Sequence, residues 1–525
     1  MTVTYITTLT SGAGPLFTYA ADADSLVILS TGGLLATSGT AISNSRADVN
    51  LHVYGMIASL SSLTFAGANA SIHIYEGGSV TSLVQTSSGI GIDLWAGGNL
   101  INEGTITGDR TSALVMRAST SVTNLGTITG VNGAFVGLNG QSNVYFVNAG
   151  TVAATDYDDA IQGARYNNGL VVEGVNARVI NSETGVITAI STEGAGIYVS
   201  DLAGGSLIRN LGTIQSLQSI GVDLQGLGAG ENQVRVLNWG TISGAISSFT
   251  GSGIGDSLLN RGVLQGDVFL DAGSDTFDNR QGTVHGLVDM GAGDDLYDGT
   301  RATVDGNILG GAGNDTLFGN AALAEVFDGG DDLDYIDFTR GPAVVVALDG
   351  AFDGDGAALG DIYLNIERVN GSGQGDVIRG SAVANLILGM GGNDVIDGQD
   401  GADVLRGGAG IDTVTGGRGN DSFRFQALTE GGDIITDFSN VGGNDDRFQI
   451  VAANFGGGLV AGALAATQFQ SRADNVAQDA DDRFVFRTTD QTLWFDADGT
   501  GAGASVLIAD MQAGVALTSL DIVLI

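Results

Sequence analysis

Apolar and polar residues alternate in many short stretches along the chain, such as Leu51-His52-Val53-Tyr54 and Gly221-Val222-Asp223-Leu224. Alternation sends successive side chains to opposite faces and is typical of a β-strand with one buried face. Turns rich in glycine separate these stretches. The pattern therefore predicts an all-β protein that is assembled from short strands and tight turns.

A motif of Asn, a variable segment, Gly, Thr or Val and an aliphatic residue recurs from about Gly91 to Gly286. Clean copies and then looser copies begin at these asparagines: Asn102, Asn124, Asn148, Asn210 and Asn238, then Asn181, Asn260 and Asn279. A strand, a turn and a second strand in every roughly 20 to 30 residues predict one coil of a parallel β-solenoid. We expect the repeated asparagines to form an internal side-chain ladder at the turn.

This asparagine-glycine region resembles the β-helical passenger repeats of bacterial surface proteins and autotransporters. The resemblance implies that stacked coils bury one continuous apolar core, which no single coil can bury alone. Residues 1–90 have the same strand character without a clean asparagine copy. We expect them to form early coils and an N-terminal cap.

Composition limits what can hold these coils together and what they can bind. The 525 residues include 86 Gly, 2 Pro and no Cys, so disulfides are excluded. The 59 acidic and 20 basic residues give a net charge of −39, which disfavours nucleic acid and anionic lipid and favours cations as partners. No apolar run of about 18 residues predicts a membrane span, and residues 1–19 lack a secretory signal pattern.

Aspartates appear at a regular interval after Asn260. Asp275, Asp295 and Asp315 are 20 residues apart, and the apolar residues Phe277, Tyr297 and Leu317 follow at the same interval. Because the asparagine coils run without a break into these coils, we expect one continuous solenoid rather than two domains joined by a linker. Residues 339–368 interrupt the pattern before the repeats resume.

A nine-residue period begins at Gly371. Glycines, Asp or Asn residues and apolar residues recur in one register: Gly371, Gly380, Gly389, Gly398, Gly407 and Gly416; Asp376, Asn385, Asp394, Asp403, Asp412 and Asp421; Ile378, Ile387, Ile396, Leu405, Val414 and Phe423. The template is Gly-Gly-x-Gly-x-Asp-x-apolar-x, with its best copies at Gly310 and Gly416. Glycines permit backbone angles closed to other residues, and carboxylates with carbonyls are the oxygen ligands that Ca²⁺ prefers.

This template resembles the calcium-binding nonapeptide of repeats-in-toxin (RTX) proteins. The resemblance implies a β-roll in which two nonapeptides make one coil, so that like turns stack and share calcium ions. Asp376, Asp394 and Asp412 then line one edge, and Asn385, Asp403 and Asp421 line the other. With the earlier coils, the predicted metal ligands are Asp275, Asp295, Asp315, Asp334, Asp376, Asn385, Asp394, Asp403, Asp412 and Asp421.

Departures from the template weaken some of these positions. Asn385 has no carboxylate, and other residues replace the second glycine at Ser372, Ser381, Met390 and Gln399 and the third glycine at Gln374 and Val383. The sites nearest residue 380 are therefore expected to be weak or empty. Asp271 and Asp332 likewise stand where a glycine is expected.

The repeats stop after Phe425, and residues 426–525 are expected to form a β-rich cap with an export signal. Residues 433–438 resemble the strand that caps the β-roll in RTX proteins, and residues 493–509 predict a hairpin. Asp496 and Asp498 either hold another calcium ion or form the turn of that hairpin. The acidic, apolar end at residues 521–525 resembles the uncleaved signal of type I bacterial export, which implies an extracellular or cell-surface location.

No catalytic motif stands out in the sequence. It contains no His-Glu-x-x-His and no Gly-x-Ser-x-Gly nucleophile elbow, and His52, His73 and His285 are far apart. The most enzyme-like stretch is Asp156-Tyr157-Asp158-Asp159 with Arg165 and Tyr166, which lacks the Lys or His base that a lyase would use. We therefore expect a solvated turn there and no enzymatic activity.

Together these patterns predict an all-β, right-handed parallel β-solenoid in which a β-helix continues into a calcium-binding β-roll with a C-terminal β-rich cap. The expected segments are an N-terminal cap with early coils at 1–90, a β-helix at 91–260, calcium-binding coils at 261–340, an interruption at 341–370, the nonapeptide β-roll at 371–425 and the cap with secretion signal at 426–525. We expect a secreted structural protein that folds and self-assembles on calcium, as a surface layer, fibre or biofilm matrix. The alternatives are a monomeric adhesin for glycans or cell surfaces and a polysaccharide lyase or epimerase.

Overall fold

The computed structural model describes residues 2–13, 15–38, 40–83, 90–95, 97–108, 112–137, 142–155, 167–200, 203–227, 233–319, 324–350 and 361–525. The chain divides into a first unit, Met1–Tyr297 with Ala302–Gly306, and a second unit, Asp298–Arg301 with Asn307–Ile525. Parallel strand pairing dominates each unit, which confirms the all-β parallel solenoid. The acidic patch at residues 156–159 and its neighbours Arg165 and Tyr166 lie outside the described residues.

Each coil of the first unit passes through three columns of parallel strands rather than the two strands expected from the sequence. Column 1 comprises Val3–Ile6, Ser25–Ile28, Asn50–Val53, Ser71–Ile74, Asn99–Asn102, Ser121–Asn124, Tyr145–Asn148, Arg178–Asn181, Leu207–Asn210, Arg235–Asn238, Ser257–Asn260, Thr276–Asp278 and Leu296–Asp298. Column 2 comprises Leu9–Ala13, Gly33–Ser38, Met56–Ser59, Ser79–Ser82, Thr105–Gly108, Thr127–Gly130, Thr151–Ala154, Val186–Ala189, Thr213–Ser216, Thr283–His285 and Thr303–Val304. Column 3 comprises Phe17–Thr18, Ile42–Ser43, Leu63–Phe65, Ile92–Leu94, Leu114–Met116, Ala134–Val136, Leu170–Val172, Ile197–Ser200, Ile220–Gly226 and Val288–Ala292, while Thr241–Ser252 and Val263–Asp271 run through columns 2 and 3.

The repeated asparagines stand at the ends of the column 1 strands and form the predicted ladder. Asn102 pairs in register with Asn124, and Asn124 with Asn148. The side-chain Nδ2 of each asparagine donates to Oδ1 of the next, at 2.7 Å from Asn102 to Asn124 and 2.9 Å from Asn148 to Asn181. The same contact continues from Asn181 through Asn210, Asn238 and Asn260 to Asn279. Asparagine suits this position because one carboxamide supplies both the donor and the acceptor that a buried ladder needs.

Inward-facing apolar side chains stack in register beside this ladder. Column 1 contributes fully buried residues such as Leu100, Val122 and Phe146, and column 2 contributes Ile106 and Ile128. In these strands buried positions alternate with partly exposed ones, as the sequence alternation predicts. The core is therefore one continuous apolar column that no single coil completes alone.

The second unit has rows A and B of parallel strands at its start and rows A and C afterwards. Row A comprises Thr316–Phe318, Tyr335–Asp337, Arg368–Asn370, Leu386–Gly391, Val404–Ala409, Ser422–Phe425, Arg447–Ile450 and Ile522–Leu524. Row B comprises Ile308–Ala312, Val326–Asp331 and Ile362–Leu364, and row C comprises Val345–Ala347, Val377–Arg379, Val395–Asp397, Thr413–Thr415, Asp433–Ile435 and Val506–Met511. The apolar residues of the nonapeptides face inward from rows A and C, with Ile387, Ile396 and Phe423 at most 1 % exposed. Two strands per coil therefore leave room for a thin core with one large side chain per strand.

Residues 341–370, which the sequence treats as an interruption, contain strands that keep the register. Val345–Ala347 pairs in parallel with Val377–Arg379, and Ile362–Leu364 pairs with Val326–Asp331. Arg368–Asn370 lies between Tyr335–Asp337 and its next neighbour in row A. The described part of this segment is thus the place where row B ends and row C begins.

The C-terminal region continues the roll and adds antiparallel strands. Thr492–Phe495 pairs in antiparallel orientation with Val506–Met511, as the predicted hairpin, and on its other edge with Phe484–Arg487. Phe484–Arg487 in turn pairs in parallel with Phe469–Arg472. The shorter strands are Asn440–Val441, Asn444–Asp445 and Gly462–Ala463, and the helices are Leu428–Glu430, Ala452–Phe455, Ala466–Gln468 and Ser519–Asp521. Over the described ranges, no helix has the length and apolar character needed to cross a membrane.

Candidate calcium sites

Two rows of acidic residues follow the turns of the nonapeptide coils in the second unit. On one edge, the backbone N–H of Asp376 donates to Oδ1 of Asp394 at 2.7 Å, and that of Asp394 donates to Oδ1 of Asp412 at 2.7 Å. On the other edge, Asn385 N–H donates to Oδ1 of Asp403 at 2.7 Å, and Asp403 N–H donates to Oδ1 of Asp421 at 2.9 Å. One carboxylate oxygen of each aspartate thus ties its turn to the turn 18 residues earlier.

The earlier aspartates form the same contact within each unit. In the first unit, Asp275 N–H donates to Oδ1 of Asp295 at 2.7 Å. In the second unit, Asp315 N–H donates to Oδ1 of Asp334 at 2.9 Å. All four side chains are buried, with at most 3 % of their surface exposed. The predicted ligands therefore occupy equivalent positions, although the coils here are longer than 18 residues.

Four acidic residues that the sequence analysis missed extend these rows. Asp334 N–H donates to Oε2 of Glu367 at 3.0 Å, Asp412 N–H to Asp433 and Asp421 N–H to Asp446, both at 3.0 Å, and Asp256 N–H donates to Oδ1 of Asp275 at 2.5 Å. The four added residues are thus Asp256, Glu367, Asp433 and Asp446. Each is followed two positions later by a large apolar residue: Leu258, Val369, Ile435 and Phe448. The acidic-x-apolar end of the template was therefore a usable signal even where its glycines are missing.

Four aspartates of these rows have a second carboxylate oxygen with no protein partner among the described residues. Oδ2 of Asp394, Asp403, Asp412 and Asp421 is buried and accepts no hydrogen bond from the described residues. A buried carboxylate oxygen without a partner is costly, because water no longer solvates it. These oxygens therefore mark positions where a cation would supply the missing interaction.

Burial makes these carboxyl groups hard to ionise. The pKa of Asp394 and that of Asp403 are each raised to about 7, mainly by burial and also by neighbouring negative charges, while the N–H donors oppose the shift. Burial also raises the pKa of Asp275 and of Asp433 to about 8, again with help from neighbouring carboxylates. Without a counter-ion, desolvation and repulsion between neighbouring carboxylates therefore destabilise the rows when these groups are ionised.

The glycines of the template make room for the carboxylates and for close stacking of the turns. A Cβ on the first glycine would collide with the aspartate of its own repeat, as at Gly407, where Oδ2 of Asp412 occupies that space. The second and fourth positions take left-handed backbone, with φ of +110° at Gly408 and +146° at Gly410. A Cβ on Gly408 would also collide with the carbonyl oxygen of Met390 in the previous coil. Carboxylate and carbonyl oxygens are thus concentrated in these turns.

The residues present fit calcium better than a softer metal. Calcium takes about six to eight oxygen ligands, both carboxylates and carbonyls. In the part of the chain that the structure describes, no three His, Cys, Asp or Glu side chains converge as one metal-binding group. The turns offer carboxylate and backbone carbonyl oxygens, which are the ligands that a hard cation takes.

Two of the predicted ligands differ from the others. Asp376 Oδ2 accepts the N–H of Ser372 at 2.6 Å, and Asn385 Oδ1 accepts the N–H of Ser381 at 2.8 Å. The turn at Asp496 is also satisfied internally, because its Oδ1 accepts the N–H groups of Asp498 and Gly499. At these three positions, N–H groups of the same turn bind the side-chain oxygen. At Asp394, Asp403, Asp412 and Asp421, no described group binds Oδ2, and we call these four the open turns.

The comparison with protein families agrees with this geometry. The model of the RTX calcium-binding nonapeptide repeat, in 4 copies, matches residues 305–322, 370–405 and 397–425. A search of curated proteins finds no match. The matched residues include the open turns of Asp394, Asp403, Asp412 and Asp421. The chain therefore carries RTX nonapeptide repeats, and these repeats bind calcium ions.

Proposed function

We propose that this protein is a secreted structural protein that folds on calcium outside the cell and then self-assembles into a surface layer, fibre or matrix. The observation that carries the proposal is that the buried Oδ2 atoms of Asp394, Asp403, Asp412 and Asp421 have no protein partner among the described residues. Calcium turns mutual repulsion along each edge into bridging between coils. At a hundredfold excess over its dissociation constant, each site adds about 2.7 kcal/mol, so several sites dominate a net stability of about 5–15 kcal/mol.

The ligand set of the proposed sites consists of Asp275, Asp295, Asp315, Asp334, Asp394, Asp403, Asp412 and Asp421. Glu367, Asp433 and Asp446 extend the same rows, because each accepts a turn N–H in the same way. Asp433 and Asp446 belong to the C-terminal region, so this region closes both edges of the roll.

Calcium-dependent folding fits an export route in which the chain leaves the cell unfolded. RTX repeats are typical of secreted proteins, and the proposed route is type I export with residues 521–525 as its signal. Ile522 and Leu524 are buried in the folded chain, where Ile522–Leu524 pairs with Arg447–Ile450. A signal of this kind is readable while the chain is unfolded and is covered afterwards. Extracellular calcium modules bind at about 0.1–1 mM, which suits folding outside the cell.

Self-assembly is supported by apolar side chains on the outer faces of both units. In the first unit Leu125 is 50 % and Trp239 is 42 % exposed, and both follow asparagines of the ladder. In the second unit Val395 and Ile434 protrude from row C in register with Thr413 between them. The first strand of the first unit, Val3–Ile6, pairs with Ser25–Ile28 and exposes Val3 and Tyr5. Flat faces and edge strands of this kind favour association with further copies.

The test is light scattering of calcium-stripped protein as calcium is restored to about 1 mM. We expect the mass to rise far above that of the monomer and to fall again with chelator. A protein that compacts but stays monomeric would reject the structural role and favour the adhesin, to be tested next by binding to cell-surface glycans. Turnover of a uronic-acid polymer would instead identify a lyase or epimerase.

A control separates ladder binding from bridging of acidic surfaces, since a net charge of −39 attracts any divalent cation. The variant with Asp403→Asn and Asp412→Asn keeps nearly all of that surface charge. It should stay monomeric at the calcium level that assembles the natural chain. Magnesium, which demands octahedral geometry and releases water reluctantly, should also fail to assemble the natural chain.

A further inference from the structure

Three turns of the described chain close on their own acidic or carboxamide group through a serine four residues earlier. Ser372 donates its N–H to Oδ2 of Asp376 at 2.6 Å and its hydroxyl to Oδ1 at 2.9 Å. Ser381 donates its N–H to Oδ1 of Asn385 at 2.8 Å, with its hydroxyl at 3.3 Å. In the first unit, Ser252 does the same to Asp256, at 2.7 Å and 3.0 Å. We call these the serine turns.

The backbone of the serine turns differs from that of the open turns around Asp394, Asp403, Asp412 and Asp421. The second position of an open turn has left-handed φ even where it is not glycine, with +76° at Met390 and +78° at Gln399. Ser372 and Ser381 occupy that position and do not adopt positive φ. The difference therefore comes from the serine hydrogen bonds and not from a missing glycine alone, since Met390 lacks a glycine as well.

Hydrogen bonding at Asp376 is complete without a metal ion. Its Oδ1 accepts the N–H of Val344 at 2.8 Å and the hydroxyl of Ser372, and its Oδ2 accepts the N–H of Ser372. Oδ2 of Asp412, on the same edge, has no partner among the described residues. Donors that bind an ionised carboxylate at these distances stabilise it as a cation would. The Asn385 side chain is neutral, so it needs no cation to balance a charge.

Each serine turn lies one coil before an aspartate whose Oδ2 has no partner among the described residues. Asp376 precedes Asp394 on one edge of the second unit, and Asn385 precedes Asp403 on the other. In the first unit, Asp256 precedes Asp275 in the same way. Each serine turn thus presents a backbone N–H to that aspartate. In the second unit the serine satisfies the turn on its other side, whereas Oδ1 of Asp256 in the first unit has no partner among the described residues.

We propose that the two serine turns of the second unit are calcium-independent caps, and that calcium binds the nonapeptide repeats of residues 371–425 from the turns of Asp394 and Asp403 onward. The inference rests on the proposed calcium-dependent folding and explains why Asp376 and Asn385, which the sequence predicts as ligands, are not among the proposed ones. The serine at the second position of the repeat is the sequence mark of such a cap.

The test compares Asp376→Asn with Asp412→Asn in the full chain, by equilibrium dialysis against calcium. The two residues lie on the same edge and both accept a backbone N–H, so the substitutions are matched. Asp412→Asn should bind fewer ions than the natural chain, whereas Asp376→Asn should bind the same number with the same affinity. Loss of ions from Asp376→Asn equal to that from Asp412→Asn would overturn the cap. A natural chain that binds no calcium would overturn the proposed function itself, which is a different result.

A gain of binding tests the same idea from the other direction. The combined change Ser381→Gly, Val383→Gly and Asn385→Asp restores the template in that repeat. The variant should bind one more calcium ion than the natural chain, with an unchanged circular dichroism spectrum in calcium. A folded variant with no additional ion would contradict the role of the serine, and if this variant does not fold, the Asp376 and Asp412 pair still decides.

Discussion

The substitution Asp403→Asn should change the stability of the β-roll in opposite directions with and without calcium. Asparagine keeps Oδ1 to accept the N–H of Asn385, so the ladder contact survives. In chelator the variant loses an ionised carboxylate whose Oδ2 is buried without a partner in the described structure. Asparagine places a neutral Nδ2 where the charged oxygen was, and a buried unpartnered neutral group costs less than a buried unpartnered charge, so the calcium-free roll should be more stable by about 1–3 kcal/mol.

In calcium the same change should destabilise the roll. The backbone N–H of Asp403 donates to Oδ1 of Asp421, and the site between these two turns weakens when Asp403 loses its charge. At a thousandfold excess of calcium over the dissociation constant, loss of that one site costs about 4.1 kcal/mol. The loss in calcium is therefore larger than the gain in chelator, and of opposite sign.

Hydrogen exchange of residues 380–425, followed by mass spectrometry in mildly alkaline buffer, measures both effects. Protection should rise in chelator and fall in calcium relative to the natural chain. Asp400→Asn is the control, because Asp400 is in the same turn but is exposed and outside the rows. A change of the same sign in both conditions, or an equal change in the control, would refute the assignment of Asp403 as a calcium ligand.

Three further results are expected. Asn148→Ala should lower the free energy of unfolding by about 2–4 kcal/mol, equally in calcium and in chelator, because it breaks two buried ladder contacts of the first unit. A urea titration that shows a calcium-dependent loss would contradict this. Gly407→Ala should weaken calcium binding about tenfold or more, since its Cβ collides with the Asp412 carboxylate, whereas Gly442→Ala, which has open space, should have no effect in the same titration. Burial raises the pKa of Asp394 to about 7, so the calcium-free fold binds more protons than the unfolded chain and should gain stability as pH falls from about 8 towards 5. Calcium affinity should fall through the same range. A calcium titration that does not depend on pH would argue against these carboxylates as ligands.

Local patterns in the chain predict much of the architecture. Alternation places Leu100 and Ile106 inside, and the recurrence of Asn102, Asn124 and Asn148 predicts a ladder, because identical residues at one turn of stacked coils must meet. The nonapeptide spacing likewise predicts which aspartates share an edge. These features depend on periods of the sequence, so the sequence alone is sufficient to find them.

Contacts between distant coils decide the rest. The third strand of each coil in the first unit and the in-register strands of residues 341–370 depend on pairing with neighbouring coils, which local periodicity does not encode. Glu367, Asp433 and Asp446 join the rows because the fold brings their carboxylates to a turn N–H, although their repeats lack the template glycines. Ser372 and Met390 look alike as departures from glycine, yet one closes its turn and the other leaves it open. The sequence by itself determined the solenoid, its ladder and its calcium chemistry, whereas the tertiary structure decided which carboxylates keep an oxygen free, because that depends on donors that neighbouring turns and nearby serines supply.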